Sequence, residues 1–327
     1  MNQKTVIITG GNSGLGYQCA KNIASKSKDY TIVIACRNKN KALNAQKNLK
    51  KESNNPNIYT LSLDLSSTES IRKSYDEFLT LEIPPLYGIV CNAGFNRQQV
   101  EYTEDGFEAT FGALHLGHFL FTNLMLKQMG HNGRIVFVSS DMHNPPKIVC
   151  KYTPEFHNAE ELALPGINGE LSDKELALRY PMAKICNILC VNEMSDRLKK
   201  ETDKNITVNA FNPGLMTDTN FMPENSNIIA KKLLPHFASL LARIIKQKGS
   251  GVESGKGLAN LITEKQFERI TRKYFDRNNE TPIETSLQAQ DNEAARKLWV
   301  ESCSAFSKIA SEYPLSFAAI VIISFSK

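Results

Sequence analysis

Thr5-Val6-Ile7-Ile8-Thr9-Gly10-Gly11-Asn12-Ser13-Gly14-Leu15-Gly16 is the stretch that decides the fold of this chain. A β-branched run ends in a glycine turn, and a helical pattern follows at once through Cys19, Ala20, Ile23 and Ala24. Strand, glycine turn and helix in that order make a phosphate site. Glycines let the backbone turn tightly and approach a pyrophosphate, which sits on the free N–H groups of the helix start. The spacing Gly10-x3-Gly14-x-Gly16 differs from Gly-x-Gly-x-x-Gly. A glycine turn that binds nothing is the competing reading, and the strand–helix context weighs against it.

Working outward, Tyr30 to Cys36 forms a second strand-like run with Arg37-Asn38-Lys39 at its C-terminal end. A dinucleotide fold places the adenosine ribose there. A carboxylate would bind the 2′-hydroxyl of NAD, whereas arginine accommodates the 2′-phosphate of NADP. The acid is absent and Arg37 is present, so NADP(H) is the expected cofactor. Further strands are expected at Ile58–Leu63, Leu86–Val90, Gly133–Val138, Ile206–Phe211 and Arg272–Phe275. Ser66-Ser67-Thr68-Glu69 reads as an N-cap, a long helix is expected from Thr103 to Met129, and Asn292 to Ser311 reads as a final amphipathic helix. Strands alternating with helices predict an α/β fold, a doubly wound parallel sheet of the Rossmann type in a single domain, with ligands outside the strands' C-terminal ends. Asp64, Asn92 and Ser140 fall at such ends.

Residues 141 to 179 show no clean periodicity and carry several prolines, the pattern of a substrate loop. His143 and His157 within it read as surface histidines. Tyr180-Pro181-Met182-Ala183-Lys184 follows in a helical stretch. A tyrosine and a lysine four apart stand on one helix face. A phenol titrates near ~10, and a neighbouring ammonium favours the phenolate and draws that value down. The bare spacing also suits an ordinary amphipathic helix, but the motifs around it favour chemistry. Gly249 to Gly257 superficially resembles a phosphate loop. Ser250 and Gly257 stand where Gly and Ser/Thr are needed, and the stretch reads as a loop opening a helix through Leu258 and Leu261.

Lys+Arg 39 against Asp+Glu 34 gives a net charge of only +5, and the basic clusters carry no interleaved aromatics, which argues against a nucleic-acid surface. Seven cysteines are scattered through apolar runs with no completed ligand spacing, so no metal is expected and the thiols suit a reducing compartment. The first strand begins at Lys4, and the chain reads as cytoplasmic. The organisation expected is a domain over residues 1–311 followed by an apolar tail, 312–327. The run Pro314 to Phe325 is short of the ~20 residues of a membrane helix. Membrane-interface contact, a partner subunit of a homo-oligomer and self-packing are all open to it, with packing favoured.

Taken together, Thr9-Gly10-x3-Gly14-x-Gly16, Asn92-Ala93-Gly94, Ser140, Tyr180-x3-Lys184 and Pro213-Gly214 resemble the short-chain dehydrogenase/reductase family, in its order and from Lys4 to about Ser311. Ala35-Cys36-Arg37-Asn38, His115-Leu116-Gly117-His118-Phe119 and Lys184-Ile185-Cys186-Asn187 are similar to the branch holding retinol dehydrogenases and light-dependent protochlorophyllide reductases. The resemblance implies Tyr180 as proton donor or acceptor, Lys184 as the group that lowers its pKa and holds the nicotinamide ribose, and Ser140 as a hydrogen bond to the substrate oxygen. Gly10, Ser13, Gly14 and Gly16 would border the pyrophosphate, with Asp64 near the adenine, Asn92 in the cleft and Thr219 near the carboxamide. Asn12, Leu15, Leu65, Ala93, Gly94, Pro213, Gly214 and Thr217 complete the implied cofactor site. The implied reaction passes a hydride between NADP(H) and a carbonyl or alcohol of an apolar substrate. Reduction of a tetrapyrrole double bond is one alternative, and a non-catalytic NADPH-binding protein another. The second alternative rests on Leu114, which stands where the family has an asparagine that supports proton relay from the lysine.

Overall fold

Parallel strands covered on both faces need apolar side chains at nearly every position, and three runs meet that demand. They are β1 (Lys4–Thr9), β2 (Tyr30–Cys36) and β4 (Leu86–Cys91), each almost wholly buried. The computed structural model describes residues 3–96, 99–147, 149–165, 171–216, 248–279 and 281–312. The central sheet is completed by β3 (Ile58–Ser62), β5 (Met129–Val138), β6 (Thr207–Asn212) and a last strand, Tyr274–Asp276. A short separate ladder pairs β7 (Leu215–Met216) with β8 (Lys248–Gly249), which makes Tyr274–Asp276 β9. The order of the seven-stranded sheet is β3-β2-β1-β4-β5-β6-β9, and every pairing in it is parallel. The chain therefore leaves β1 for β2 on one side and reaches β4 on the other. That reversal opens a crevice at the strands' C-terminal ends.

On one face lie α1 (Gly14–Lys26), α2 (Lys39–Ser53) and α8 (Gly251–Thr263), burying Val6, Ile8, Ile23, Leu49 and Ile262 together. On the other lie α3 (Thr68–Leu79), α5 (His118–Met125), α7 (Asp173–Glu201) and α9 (Asn292–Glu312), around Phe111, Phe119, Phe137 and Leu189. Helix starts follow local chemistry. Ser67 accepts from Ser70 N at the start of α3, and Ser172 with Glu175 forms a capping box for α7.

Four expectations need correction. The helix expected from Thr103 begins only at α4 (Ala109–Phe111), because Gly106 turns the chain with φ +81° and Asp105 is drawn away to cap α3, accepting from Thr68 N at 2.8 Å. A π-helical turn, Gly112–Gly117, then joins α4 to α5, and Met129 already belongs to β5. The irregular 141–179 stretch contains α6 (Ala159–Ala163), and α7 starts two turns before Tyr180. His157 is exposed, but His143 is buried. Its Nδ1 donates to Ser140 O at 2.7 Å and its Nε2 accepts from Ser286 N at 3.2 Å. Finally, the glycine run at 249–257 is largely helix. A Cβ on Gly255 would stand 2.3 Å from Gln18 Cβ, so that glycine serves the close packing of α8 on α1, while one on Gly257 would meet Arg277 O at 2.3 Å.

Candidate active site

A cleft of about 670 Å³ lies where β1 and β4 part. Its rim is the start of α1. Gly10 turns with φ +65°, and Ser13 makes no side-chain cap, so the first N–H groups of the helix face the cleft unblocked. An uncapped helix start with no acidic residue in its first turn suits an anion such as a pyrophosphate. Gly10, Asn12, Ser13, Gly14 and Leu15 all line the cleft. Gly16 does not. A Cβ there would meet Gly10 O at 2.5 Å and Asn92 Nδ2 at 2.6 Å, so its role is to let α1 sit against the turn. Arg37, exposed at the end of β2, stands 3.6 Å from Asp64. Both line the cleft, with Leu65, Asn92, Ala93, Gly94, Pro213 and Gly214. Thr217 and Thr219 fall outside the described residues. These residues fit a dinucleotide bound along the strand ends.

Two positions that carry the cradle were not anticipated from sequence. Thr9 Oγ1 accepts from Asn92 N at 2.8 Å and Ala93 N at 2.9 Å. His118 Nδ1 lies 3.1 Å from Leu114 O, which can only accept, so the ring proton is on Nδ1. Its Nε2 then accepts the Thr9 hydroxyl proton at 2.9 Å. One buried imidazole thus ties the β1 and β4 ends to the wall that carries Leu114. Thr9 and His118 both stand in stretches that carry the family resemblance, Thr9-Gly10-x3-Gly14-x-Gly16 and His115 to Phe119, with no role assigned to either residue there.

Burial keeps His115 of the π turn and His118 at the start of α5 neutral, pushing His115 down to about 3 and His118 down to about 4. In the unfolded chain each binds a proton below about pH 6.5. Between that value and their folded pKa the unfolded state holds more protons, so stability is intact above pH 7 and falls as the pH falls. Urea unfolding at pH 5.5 should show about 2–3 kcal/mol less stability than at pH 7. An unchanged midpoint would contradict the buried neutral pair.

The floor of the cleft comes from the end of β5 and from α7. Ser140 follows β5 and its hydroxyl bonds the Tyr180 phenol. Lys184 Nζ stands 5.4 Å from the Tyr180 ring centre and donates to Val138 O at 2.9 Å. Ser139 Oγ donates to Lys184 O at 2.9 Å, locking α7 to the strand end. One expectation is overturned here. Burial, opposed by Ser140, raises the Tyr180 pKa above its ordinary value, and the lysine does not draw it down because its ammonium is turned to Val138. Burial also draws Lys184 down to about 8. The phenol therefore holds its proton at neutral pH.

Leu114 is buried and packs with Ala113, Ala183, Leu65, Phe95 and Tyr180 as an apolar wall. Leu114, Phe95 and Met142 all line the cleft. Just before Tyr180, Arg179 forms a buried ion pair with Glu108 at 3.0 Å.

A family model described as short chain dehydrogenase matches residues 4–153. A chloroplastic protochlorophyllide reductase of Daucus carota is 32% identical over 312 residues, 90% of this chain and 76% of that one. Retinol dehydrogenase 13 of Mus musculus is 30% identical over 302 residues, 91% of this chain and 82% of that one. Among solved structures, an angucycline C-6 ketoreductase with bound NADP is similar in fold, with a TM-score of 0.61, 17% identity, and coverage of 84% of this chain and 95% of that one.

Proposed function

The chain belongs to the short-chain dehydrogenase/reductase family, and from that premise we propose that it is an NADPH-dependent reductase of a carbonyl on an apolar substrate, running in reverse as an alcohol dehydrogenase. One observation carries this reading. A protonated Tyr180, bonded to Ser140 and beside Lys184, forms the floor of a cleft whose rim is an uncapped helix start.

NADPH supplies a hydride when bound; all else falls to the chain's own residues. The N-terminus of α1 and the Thr9–Asn92 cradle bind the pyrophosphate end, and Arg37 takes the 2′-phosphate. Ser140 holds the substrate oxygen as charge grows there, where a fixed donor contributes most. Tyr180 delivers its proton to that oxygen, and its raised pKa suits the donor role in reduction. Leu114, Phe95 and Met142 exclude water and favour an apolar substrate. All seven cysteines are free, which fits the reducing cytoplasm we assign to it.

A screen of carbonyl substrates followed by NADPH absorbance tests this directly. No oxidation of NADPH with any carbonyl would sink it. Arg37→Ala should raise KM for NADPH about tenfold, near 1.4 kcal/mol, and leave NADH almost untouched. Equal effects on both cofactors would remove the 2′-phosphate contact. A second reading, reduction of a tetrapyrrole double bond, is favoured by the 32% identity to the Daucus carota protein. It requires turnover of protochlorophyllide under illumination, and failure of that assay removes it.

A further inference from the structure

Lys184 lines the cleft, and one N–H of its ammonium is donated to the carbonyl oxygen of Val138 at 2.9 Å. An ammonium has three N–H groups and two remain for a ligand, but if binding draws Lys184 off that oxygen a buried carbonyl is left unpaired, which is costly. Asn187 stands three residues further along α7, on the same helix face. Its Nδ2 already leans to that same oxygen, at 3.5 Å.

Behind Asn187 is His115, fully buried in the π turn with its ring stacked on Phe111 at 5.1 Å. The Asn187 amide lies within hydrogen-bonding reach of this ring. His115 Nε2 meets Ser302 Oγ of α9 at 3.0 Å. Among the described residues, His115 Nδ1 and Asn187 Oδ1 are both buried without a well-formed hydrogen bond. They are complementary, since one can carry a proton and the other can only accept. One assignment satisfies every group: Ser302 O–H to His115 Nε2, His115 Nδ1–H to Asn187 Oδ1, and Asn187 Nδ2–H to Val138 O. A chain polarised in one direction strengthens its members and fixes which way the amide faces.

We propose that Asn187, oriented by His115 and Ser302, is a positioning residue that takes over the Val138 carbonyl when Lys184 turns to the bound dinucleotide. This rests on Lys184 being a cofactor-binding residue. The side chain at 114 cannot do the same work, because leucine neither donates nor accepts.

The test needs no turnover. In full-length protein labelled with ¹³C-lysine, and with Lys184 assigned by Lys184→Arg, the Lys184 pKa is read by NMR without cofactor. NADPH affinity is read by fluorescence. Removing the competing donor in Asn187→Leu leaves Val138 O to Lys184 alone. The ammonium is then held more firmly, so its pKa should rise by about one unit and NADPH should bind about tenfold more weakly. The titratable groups facing Lys184 are Tyr180 on its own helix and His118 of α5. His118 titrates near 4 and Tyr180 above its ordinary range, so the shift reads Lys184 itself. His115→Leu should move both readouts the same way, and His115→Asn, which restores a donor near Nδ1, should rescue them. A Lys184 pKa that stays or falls in folded Asn187→Leu, or an unchanged NADPH affinity, overturns the proposal. Should Asn187→Leu not fold, the two His115 variants decide by whether rescue occurs. Absence of carbonyl reduction would sink the reductase reading while leaving both readouts interpretable.

Discussion

Tyr180→Phe is expected to cut turnover by about 10²–10⁴-fold, the range for loss of a positioned proton donor, while NADPH binds as before. Phenylalanine keeps the ring that packs with Leu114, Ala183 and Phe95 and removes only the hydroxyl bonded to Ser140. The fold should therefore survive with a loss of about 1 kcal/mol, one ordinary hydrogen bond. Ser140 remains to hold the substrate oxygen, so KM should move less than kcat. In the wild type, burial raises the Tyr180 pKa, so the donor keeps its proton through neutral pH. Lys184, drawn down to about 8, loses its charge first, and the rate should decline above that pH. Steady-state kinetics with a substrate found in the screen, beside fluorescence titration with NADPH, measures both halves. Undiminished turnover in Tyr180→Phe would remove the proposed mechanism. Lost NADPH binding would show the tyrosine to be a structural support of the cleft.

Glu108→Ala should destabilise the fold by about 3–5 kcal/mol, because it leaves a buried arginine charge without its partner. Arg179 and Glu108 are both nearly inaccessible and lie 3.0 Å apart. Arg179 Nη1 also donates to Gln99 O at 3.1 Å, and the other Glu108 oxygen accepts from Phe111 N at 2.8 Å. The carboxylate thus caps α4 while the guanidinium fixes the turn of α7 that presents Tyr180. Replacing both residues together by apolar ones should cost far less than Glu108→Ala alone, since no buried charge is then stranded. Chemical denaturation of the two variants measures this. If the double and single variants are equally unstable, the ion pair is not what the single change disrupts.

How much was legible in advance follows the range of the forces involved. Tyr30 to Cys36 could be read to its exact ends because a strand buried on both faces admits little else. Gly10 and Gly14 announced a turn because their positive φ is a local demand. His143 was misread as a surface residue because its partner, Ser286 N, lies 143 residues away. The start of α7 was missed although Ser172 and Glu175 carry a capping-box pattern, since the prolines around it suggested loop. Thr103 to Glu108 looked helical by periodicity, but Asp105 found a better use capping α3.

Sequence alone determined the strand–helix alternation, the glycine turn into α1 and the helix that carries Tyr180 and Lys184 four residues apart. Each depends on neighbours within a turn or on residue types that little else can replace. Only the tertiary structure decided that Gly16 packs rather than lines the cleft, that Leu114 walls the tyrosine, and that burial holds the phenol protonated. It also decided that the lysine rests on Val138 with Asn187 beside it. Those properties belong to contacts between segments far apart in the chain, where desolvation and packing depend on what arrives from elsewhere, and no local pattern records them.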